Sequence, residues 1–381
     1  MQQTRFAPHI LCVVGARPNF MKIAPLMRAF RAPGSGLTAS LVHTGQHYDT
    51  AMKHTFFNQL HIPEPDVDLE VGSGSHAMQT AQIMQRFEPV LDEHHPSAIL
   101  VVGDVNSTIA CALVAAKKQV PVIHVEAGLR SGDRSMPEEI NRILTDQLSD
   151  LLFTTETTAA DNLQREGIGA EKIHFVGNVM IDSLRYNLSA ALPSHQTLAA
   201  AEAPAVFMKA RYGLLTLHRP SNVDAAATLR GLLEALAAIS QETPLVFPVH
   251  PRTRSRITDA GLDSLLATAN ILLLPPQGYL EMLGLMADAR LVLTDSGGIQ
   301  EETTALGIPC VTLRDSTERP ITVTQGTNTV VGTDPAAIRR AHADILNGSD
   351  KAGRQPELWD GEAAIRIAAI IGDWCRTARA A

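Results

Sequence analysis

The sequence predicts an α/β protein built from two doubly wound, mainly parallel sheets, and three observations support this prediction. Short apolar segments rich in β-branched residues alternate with amphipathic stretches of helical length, which is the pattern of buried parallel strands joined by helices. The chain has 381 residues, more than a single hydrophobic core normally organises. The strand segments also fall into two sets, one in each half of the chain.

The predicted strands are apolar runs bounded by turn residues. They lie, in chain order, at 10–14, 38–42, 98–102, 121–125, 150–154, 213–217, 244–249, 271–274, 290–294 and 308–313. The stretches between them have the length of helices, and the last segment, 361–379, has helical periodicity. Every strand except the last of each half is therefore expected to be followed by a helix that returns the chain for a parallel strand.

A segment at 187–210 separates the two sets of strands. Ala, Pro and Ser accumulate there and no strand pattern occurs, which is typical of a boundary between domains. The first domain is therefore predicted at 1–186 and the second at 187–360.

Composition and charge exclude several classes of protein. Lys and Arg number 32 against 40 Asp and Glu, so the net charge is −8, and a protein that coats nucleic acid would need a surplus of cations. No apolar run approaches the ~18 residues of a membrane-spanning helix, and the N-terminus lacks the pattern of a signal peptide. The four cysteines are scattered, without zinc-ligand or disulfide spacing. We expect a cytoplasmic protein with no metal, no nucleic-acid partner and no membrane contact.

Polar residues follow the first two predicted strands, at the sheet edge where ligands bind in open parallel sheets. Arg17 and Lys22 flank the start of a helix after the first strand, and Gln46 and His47 lie in the loop after the second. Cations at a helix N-terminus attract anions, although solvated surface residues would give the same pattern.

Three carboxylates occur near the ends of the third and fourth strands. Asp104 follows the third strand, Glu126 ends the fourth, and Glu138 stands in the first turn of the next predicted helix. A favourable charge at the helix N-terminus is an alternative explanation for Glu138. Crowded carboxyl groups have divergent pKa values, so that some hold protons while others accept them. The pattern favours acid–base chemistry on a sugar or a similar carbon acid.

The second half repeats this arrangement with histidines and a glycine turn. His218 with Arg219 and then His250 end successive strands. A later strand leads through Ser296-Gly297-Gly298 into a helix, which exposes backbone N–H groups suited to a diphosphate. Arg319 follows the last strand, as an anion clamp or as part of a surface ion pair.

Taken together, ten motifs occur in uninterrupted order over roughly residues 9 to 332. They are GARPNFMKIAP, HTGQHYD, VVGDVNST, HVEAGLRSGD, MPEEINR, VGNVMIDSL, LTLHRP, PVHP, TDSGGIQEE and RDSTERP. In these motifs the chain resembles the non-hydrolysing UDP-N-acetylglucosamine (UDP-GlcNAc) 2-epimerases.

The resemblance implies a GT-B-like fold, with two Rossmann-like domains facing a central cleft and the C-terminal helix, 361–381, packing back on the first domain. It implies interconversion of UDP-GlcNAc and UDP-N-acetylmannosamine (UDP-ManNAc) without a cofactor, by elimination of UDP to a 2-acetamidoglucal and re-addition. It also implies a homodimer.

The resemblance further implies roles for individual residues. The catalytic residues would be Asp104, Glu126, Glu138 and His218. The UDP-sugar would be bound by Arg17, Lys22, Gln277, Met282, Ser296, Gly297, Gly298, Glu302 and Arg319. A second, activating site for UDP-GlcNAc in some members would correspond here to Gln46, His47, Arg219 and His250, but the segment VGSGSHAMQ lacks the Arg that often completes it.

Four alternatives stay open at this point. A hydrolysing relative would release free ManNAc and UDP, and a related epimerase would act on a UDP-diacetamido sugar. A glycosyltransferase on the same fold would need an acceptor, and no apolar membrane-associating loop is evident. A nucleotide-sugar sensor would have no need of the full catalytic set.

Overall fold

The structure, a computed structural model, describes residues 7–45, 57–209 and 211–378. The chain forms two compact units. Unit 1 comprises Met1–Tyr186 together with Glu357–Ala381, and unit 2 comprises Asn187–Pro356. The first segment of unit 1 ends at Tyr186 and its second segment begins at Glu357, and the predicted domain bounds stay a prediction.

Unit 1 contains a seven-stranded parallel sheet. Its strands are β1 (His9–Val14), β2 (Thr38–His43), β3 (Val67–Asp68), β4 (Ala98–Val102), β5 (Val122–Val125), β6 (Leu151–Thr154) and β7 (Ile173–Phe175). They lie in the order β3-β2-β1-β4-β5-β6-β7, so the chain reverses its direction of winding between β1 and β4. In sheets of this kind ligands bind beyond the strand ends at that switch point.

The helices of this part of the chain connect the strands and cover the sheet. They are α1 (Arg17–Arg31), α2 (His76–His94), α3 (Asn106–Lys117), α4 (Pro137–Leu148), α5 (Thr157–Arg165) and α6 (Val179–Asn187), with a short 3-10 segment at Ala170–Lys172. A second 3-10 segment, Leu188–Ala190, lies at the start of unit 2. The core on one face combines β1, β4, α2 and α3 through side chains such as Leu11, Val101, Phe87 and Cys111.

Unit 2 contains a six-stranded parallel sheet with the same winding. Its strands are β8 (Gly213–Thr216), β9 (Leu245–Pro248), β10 (Ile271–Leu274), β11 (Leu291–Thr294), β12 (Cys310–Thr312) and β13 (Asn328–Val330). The order is β10-β9-β8-β11-β12-β13, which puts the switch point between β8 and β11. Leu215, Phe247, Leu293 and Val311 point into one core from four of these strands.

The helices that begin in unit 2 vary from one turn to four turns. They are α7 (Ser194–Ala200), α8 (Ala205–Lys209), α9 (Pro220–Val223), α10 (Ala226–Ser240), α11 (Pro251–Asp259), α12 (Asp263–Ala267), α13 (Tyr279–Ala287), α14 (Gly297–Leu306), α15 (Pro320–Thr324) and α16 (Pro335–Leu346). Pro220, Pro251, Pro320 and Pro335 all stand at a first helical position, where the missing N–H costs nothing.

The C-terminal helix α17 (Ala363–Ala378) packs in unit 1 against α1. The Asp182 carboxylate accepts hydrogen bonds from the backbone N–H groups of Ala363 and Ala364, at 3.2 and 2.7 Å, and so caps this helix. The buried Trp359 donates from Nε1 to the carbonyl oxygen of Thr155 at 3.0 Å. The predicted return of the C-terminal helix to the first domain is confirmed.

The predicted fold class of two Rossmann-like, doubly wound parallel sheets is confirmed, and all ten predicted strands are present. Three strands were missed, namely β3, β7 and β13. Each has two or three residues and lies at the outer edge of its sheet. An edge strand needs neither a long apolar run nor two buried faces, and for this reason it leaves a weak signal in the sequence.

Candidate active site

The end of β1 carries a buried turn that reaches across to β4. The side chain of Asn19 accepts hydrogen bonds from the backbone N–H groups of Gly15 and Ala16, at 3.3 and 3.1 Å. It donates to the carbonyl oxygen of Val102 at 2.9 Å. Asn19 therefore ties together the two strand ends that flank the switch point. Arg17 begins α1, and its side chain lies outside the described residues.

Glu126, which directly follows β5, and Lys22, in the second turn of α1, form a buried ion pair. Lys22 Nζ lies 2.5 Å from Glu126 Oε2, and the two side chains are 6% and 3% exposed. Glu126 has a φ of 72°, in the left-handed region that few residues other than glycine adopt. A strained backbone at a buried carboxylate is a feature of functional sites. Lys22 supplies the compensating charge that a buried carboxylate requires.

Asp104 is held by a second buried cation, the guanidinium of Arg142 on α4. Arg142 Nη2 lies 2.5 Å from Asp104 Oδ2, while its Nη1 donates to Glu139. The carboxylate of Glu139 also accepts from the backbone N–H groups of Ser131 and Gly132. Burial raises the pKa of Glu139, but these two N–H groups and Arg142 together hold it below the ordinary value. Glu139 is thus an ionised structural partner of Arg142.

Glu138 stands beside Glu139 in the first turn of α4 and is only partly buried. Within the described part of the chain it makes no hydrogen bond or ion pair. Of the three carboxylates that the sequence singled out, Glu126 and Asp104 follow the adjacent strands β5 and β4, and Glu138 shares α4 with the cation that binds Asp104. Glu138 and Arg142 are four residues apart and so lie on the same face of α4. This face carries one predicted catalytic residue and binds a second, Asp104.

In unit 2, His218 is oriented by a buried carboxylate. Asp295, at the end of β11, is fully buried and lies 2.8 Å from His218 Nδ1. Its oxygens also accept from the backbone N–H groups of His218 and Arg219 and from the amide of Asn222. Burial raises the pKa of Asp295, but His218 and the backbone N–H groups outweigh it and hold the pKa below its ordinary value. The His218 side chain is 41% exposed, and within the described residues its Nε2 makes no hydrogen bond.

Glu302 on α14 is a fully buried carboxyl group. Its pKa is raised to about 7, chiefly by burial. The hydrogen bond from the Tyr279 hydroxyl lowers this pKa, and the charge of the neighbouring Glu301 raises it. Tyr279 donates to Glu302 Oε1 at 3.1 Å. A carboxyl group in this range can accept or donate a hydrogen bond near neutral pH, which suits a hydroxyl-rich ligand such as a ribose.

Arg319 lies across the first turn of α14. Its Nε is 3.0 Å from Glu301 Oε1, and its Nη1 is 3.7 Å from Glu318 Oε2. A Cβ at Gly297 would lie only 2.7 Å from Arg319 Nη1, so glycine is needed for this close approach. The guanidinium and the helix N-terminus together present positive charge to an anion.

The turn Ser296-Gly297-Gly298 forms the beginning of α14, with Ser296 at the N-cap. The Ser296 hydroxyl does not cap the helix, and the first N–H groups of a helix have no intrahelical acceptor. The Ser296 N–H donates to Thr294 Oγ1 at 3.0 Å, and Gln300 donates to the Ser296 carbonyl oxygen at 3.2 Å. The start of α14 therefore has the backbone arrangement found at helix N-termini that bind phosphate oxygens.

The other predicted binding residues have less specific surroundings. Gln277 donates to the carbonyl oxygen of Pro275 at 2.7 Å, and Met282 is partly buried on α13. Of the predicted second site, Arg219 Nη2 lies 3.8 Å from a Glu318 oxygen, and the ring of His250 is centred 6.2 Å from that of His218. Gln46 and His47 lie outside the described residues.

Some of the residues that surround the predicted site residues were not predicted from the sequence. They include Glu139, Arg142, Tyr279 and Asp295. For Asp295 a signal existed, because an aspartate directly after a buried strand and beside a histidine strand end is the usual partner of an imidazole. Arg142 follows Glu138 at helical spacing, i and i+4. Nothing in the sequence distinguishes Tyr279 from an ordinary core tyrosine.

Neither a metal site nor a transmembrane helix is found in the ranges that the structure describes. Across 7–45, 57–209 and 211–378, no three His, Cys, Asp or Glu side chains are grouped as metal ligands. Within the same ranges every helix is too short or too polar to cross a bilayer.

Comparison with known proteins identifies the family. A family profile described as UDP-N-acetylglucosamine 2-epimerase matches residues 32–372. The UDP-N-acetylglucosamine 2-epimerase of Methanocaldococcus jannaschii is 41% identical over 362 residues, which cover 94% of this chain and 97% of that protein. The UDP-2,3-diacetamido-2,3-dideoxy-D-glucuronate 2-epimerase of Pseudomonas aeruginosa is 44% identical over 326 residues, covering 85% and 88%.

The fold is likewise that of solved epimerases. A crystal structure of the Methanocaldococcus jannaschii UDP-GlcNAc 2-epimerase, in complex with UDP-GlcNAc and UDP, matches with a TM-score of 0.85 at 39% identity. The match covers 95% of this chain and 99% of that one. The GT-B-like fold class and the resemblance seen in the ten motifs are both confirmed. The chain belongs to the UDP-N-acetylglucosamine 2-epimerase family, a family of isomerases.

Proposed function

We propose that this protein interconverts UDP-GlcNAc and UDP-ManNAc by inverting carbon 2 of the sugar, through elimination and re-addition of UDP. The observation that carries the proposal is the pair of carboxylates Glu126 and Asp104 at adjacent strand ends, each held by its own buried cation, Lys22 or Arg142. Inversion at carbon 2 needs one group to remove a proton and another to deliver one on the opposite face. Membership of the family supports the same reaction.

The reaction balances without a redox cofactor. A carboxylate takes the proton from C2, and the electron pair of that C–H bond forms the C1–C2 double bond while the C1–O bond breaks and UDP leaves. In the second half a carboxylic acid donates a proton to C2 on the other face, and a UDP oxygen bonds again to C1. We assign these proton transfers to the group Asp104, Glu126 and Glu138.

Unit 2 is proposed to bind UDP. The diphosphate would lie on the turn Ser296-Gly297-Gly298 with Arg319 beside it, and Glu302 would bind the ribose hydroxyls. Backbone N–H groups at a helix start and a guanidinium are the donors that phosphate oxygens prefer.

The uracil end of UDP is assigned to Gln277 and Met282, and Arg17 is assigned to the diphosphate. Lys22 as a UDP ligand stays a prediction, and its ion pair with Glu126 supports a role in balancing that carboxylate.

His218 is proposed to assist the departure of UDP. Asp295 fixes the imidazole through Nδ1, so the exposed nitrogen is positioned to donate to a phosphate oxygen as negative charge develops on it. Nothing comparable supports the second UDP-GlcNAc site at Arg219 and His250, which stays a prediction with its partners Gln46 and His47.

The decisive experiment is proton exchange in deuterated water. The purified protein is incubated with UDP-GlcNAc, and NMR follows the C2 proton and the products. The expected result is a mixture of UDP-GlcNAc and UDP-ManNAc with deuterium at C2. Accumulation of free ManNAc and UDP instead would establish the hydrolysing reaction, and the absence of both exchange and new sugar would refute the proposal.

A matched pair of variants tests the role of Glu126. Glu126→Gln is expected to abolish deuterium exchange while UDP binding, measured by calorimetry, stays within about twofold, because the carboxylate acts on C2 and the residues that we assign to UDP, apart from Arg17, lie in unit 2. Glu93→Gln, at an exposed position of α2, is the control and should keep full exchange. Equal loss of UDP binding and exchange in Glu126→Gln would show that the residue is only structural.

A second candidate substrate is a UDP-diacetamido sugar acid. The 44% identity to the Pseudomonas aeruginosa UDP-2,3-diacetamido-2,3-dideoxy-D-glucuronate 2-epimerase favours it. Parallel exchange assays with both UDP-sugars decide between them through the ratio of their kcat/KM values.

Three further features are proposed with this function. The two compact units act as the two functional domains, with the first completed by the C-terminal segment. The protein works as a homodimer in the cytoplasm. Light scattering of the purified protein should give a mass near twice the 41.0 kDa of one chain, and a mass near one chain would refute the dimer.

A further inference from the structure

A fully buried histidine lies behind the predicted catalytic carboxylates. His124 is the third residue of β5, two positions before Glu126, and its side chain has no exposed surface. Its Nε2 lies 2.9 Å from the carbonyl oxygen of Gly103, and its Nδ1 lies 2.6 Å from Asp146 Oδ1 on α4. Both ring nitrogens therefore face oxygen atoms.

The chemistry of these two neighbours determines the hydrogen count of the pair. A carbonyl oxygen can only accept, so Nε2 must carry a hydrogen. The short contact between Nδ1 and Asp146 needs a second hydrogen between those atoms. The other oxygen of Asp146 already accepts from the Gly128 N–H at 3.1 Å and faces Arg130 Nη2 at 2.7 Å, which favours a carboxylate. The ring is thus a donor on both sides, and no lone pair is left to act as a base.

The His124–Asp146 pair also joins three segments that carry predicted catalytic groups. Gly103, in the left-handed region at a φ of 67°, directly precedes Asp104. Gly128, with a φ of 79°, follows Glu126 by two residues. Asp146 itself lies on α4, the helix of Glu138. One buried pair therefore fixes the loop after β4, the loop after β5 and α4 in position relative to one another.

Two cations, Arg130 and Lys22, lie near Asp146 and Gly103, respectively. Arg130 bridges Asp146 and Glu166, with Arg130 Nε 2.8 Å from Glu166 Oε1. Lys22 Nζ lies close to Gly103, since a Cβ at Gly103 would be 2.8 Å from it. The side chains of His124 and Asp146 themselves have no exposed surface.

We propose that His124 is a positioning residue that, with Asp146, holds the segments bearing Asp104, Glu126 and Glu138 in fixed relative positions, and that it carries a hydrogen on both ring nitrogens and transfers neither. The kinetic part of this proposal rests on the proposed function, but the hydrogen count does not.

The hydrogen count is tested on the wild-type protein. With 15N-labelled histidine, NMR at neutral pH should show one imidazole in which both nitrogens carry a hydrogen that exchanges slowly with solvent. Asp146→Asn and His124→Gln should each remove that signal. A His124 ring with one nitrogen bare of hydrogen would overturn the proposal, whether or not the protein proves to be an epimerase.

The positioning role is tested by kinetics. His124→Gln should lower kcat for C2 exchange by about 10²-fold, as expected for a displacement of about 1 Å in a catalytic group. The affinity for UDP should stay within about twofold, since the residues assigned to UDP, apart from Arg17, lie in unit 2. The pH profile of the remaining activity should keep both limbs of the wild-type profile. Loss of one limb would identify His124 as an acid or base and would overturn the proposal.

His174→Gln is the matched control. His174 lies on β7 of the same sheet, half-buried against the Phe153 ring, and within the described residues its ring nitrogens make no hydrogen bond. Its replacement should leave kcat unchanged. An equal loss of activity in His174→Gln and His124→Gln would reduce the effect to general destabilisation and refute the specific role. Inactivity of the wild type towards every UDP-sugar would refute the proposed function alone, because the NMR result would still decide the hydrogen count.

Discussion

Replacement of Arg142 by leucine removes the buried cation that Asp104 and Glu139 share. The side chains of Arg142 and Glu139 are 5% and 2% exposed, and that of Asp104 is 24% exposed. Leucine fills part of the volume of the arginine stem but leaves two carboxylates without their counter-charge. The perturbation is therefore electrostatic more than steric.

The magnitude follows from the burial of the partners. Removing one member of a buried ion pair typically costs about 3–5 kcal/mol. Glu139 keeps the N–H groups of Ser131 and Gly132, and Asp104 is partly solvated, so the loss falls at the lower end. We expect Arg142→Leu to lower the free energy of unfolding of unit 1 by about 3 kcal/mol at neutral pH.

The pH dependence has a defined sign. The pKa of Glu139 is lowered in the folded state, so the stability that Glu139 contributes is present above its ordinary pKa of 4.5 and is lost as the pH falls through the lowered value. Without Arg142 the pKa of Glu139 should be lowered less. The difference in free energy of unfolding between wild type and variant should therefore be largest at neutral pH, and it should become smaller as the pH falls below about 4.5.

Tryptophan fluorescence during urea unfolding isolates this effect. The two tryptophans of the chain, Trp359 and Trp374, both lie in unit 1, so the signal reports that unit. Arg376→Leu is the control, since Arg376 is 63% exposed and pairs with Asp373 at the surface. Surface pairs contribute only about 0–1 kcal/mol. Equal midpoints for the two variants, or a loss for Arg142→Leu that is independent of pH, would refute the reasoning.

Two further predictions concern unit 2. Asp295→Asn should lower kcat by about 10²-fold or more, because His218 loses the carboxylate that orients it, while Asp224→Asn, in an exposed ion pair, should have little effect; equal rates for the two variants would contradict the assigned role. Glu302→Gln should stabilise unit 2 by about 3 kcal/mol at about pH 8, because a pKa raised from 4.5 to about 7 means that stability is lost between those values as the pH rises. Hydrogen exchange of α14 at acidic and alkaline pH measures this, with the exposed Glu234→Gln as control; slower exchange at both pH values would contradict it.

The strands and the positions of the strand-end residues were predictable because they depend on short-range pattern. A buried parallel strand needs a continuous apolar run, and the polar residue that follows it must lie at the same sheet edge as those of its neighbours. Glu126, Asp104, His218 and Ser296 could therefore be singled out from the sequence. The edge strand β3, with two residues, could not.

The partners of these residues were not predictable because they come from distant parts of the chain. Arg142 meets Asp104 across 38 positions, and Asp295 meets His218 across 77. A sequence shows that a buried charge needs a partner, but it does not show which of many cations or carboxylates is brought into contact. Glu139, identical in type to its neighbour Glu138, was passed over for this reason.

The sequence by itself determined the fold class, the two sets of strands and the family, since periodicity and ordered motifs are properties of the chain. Only the tertiary structure decided which charge neutralises which. Lys22 pairs with Glu126, Arg142 with Asp104, and His124 with Asp146. The physical reason is that the energy of a charge depends on burial and on distances of a few ångströms, and these arise only when segments far apart in sequence pack against one another.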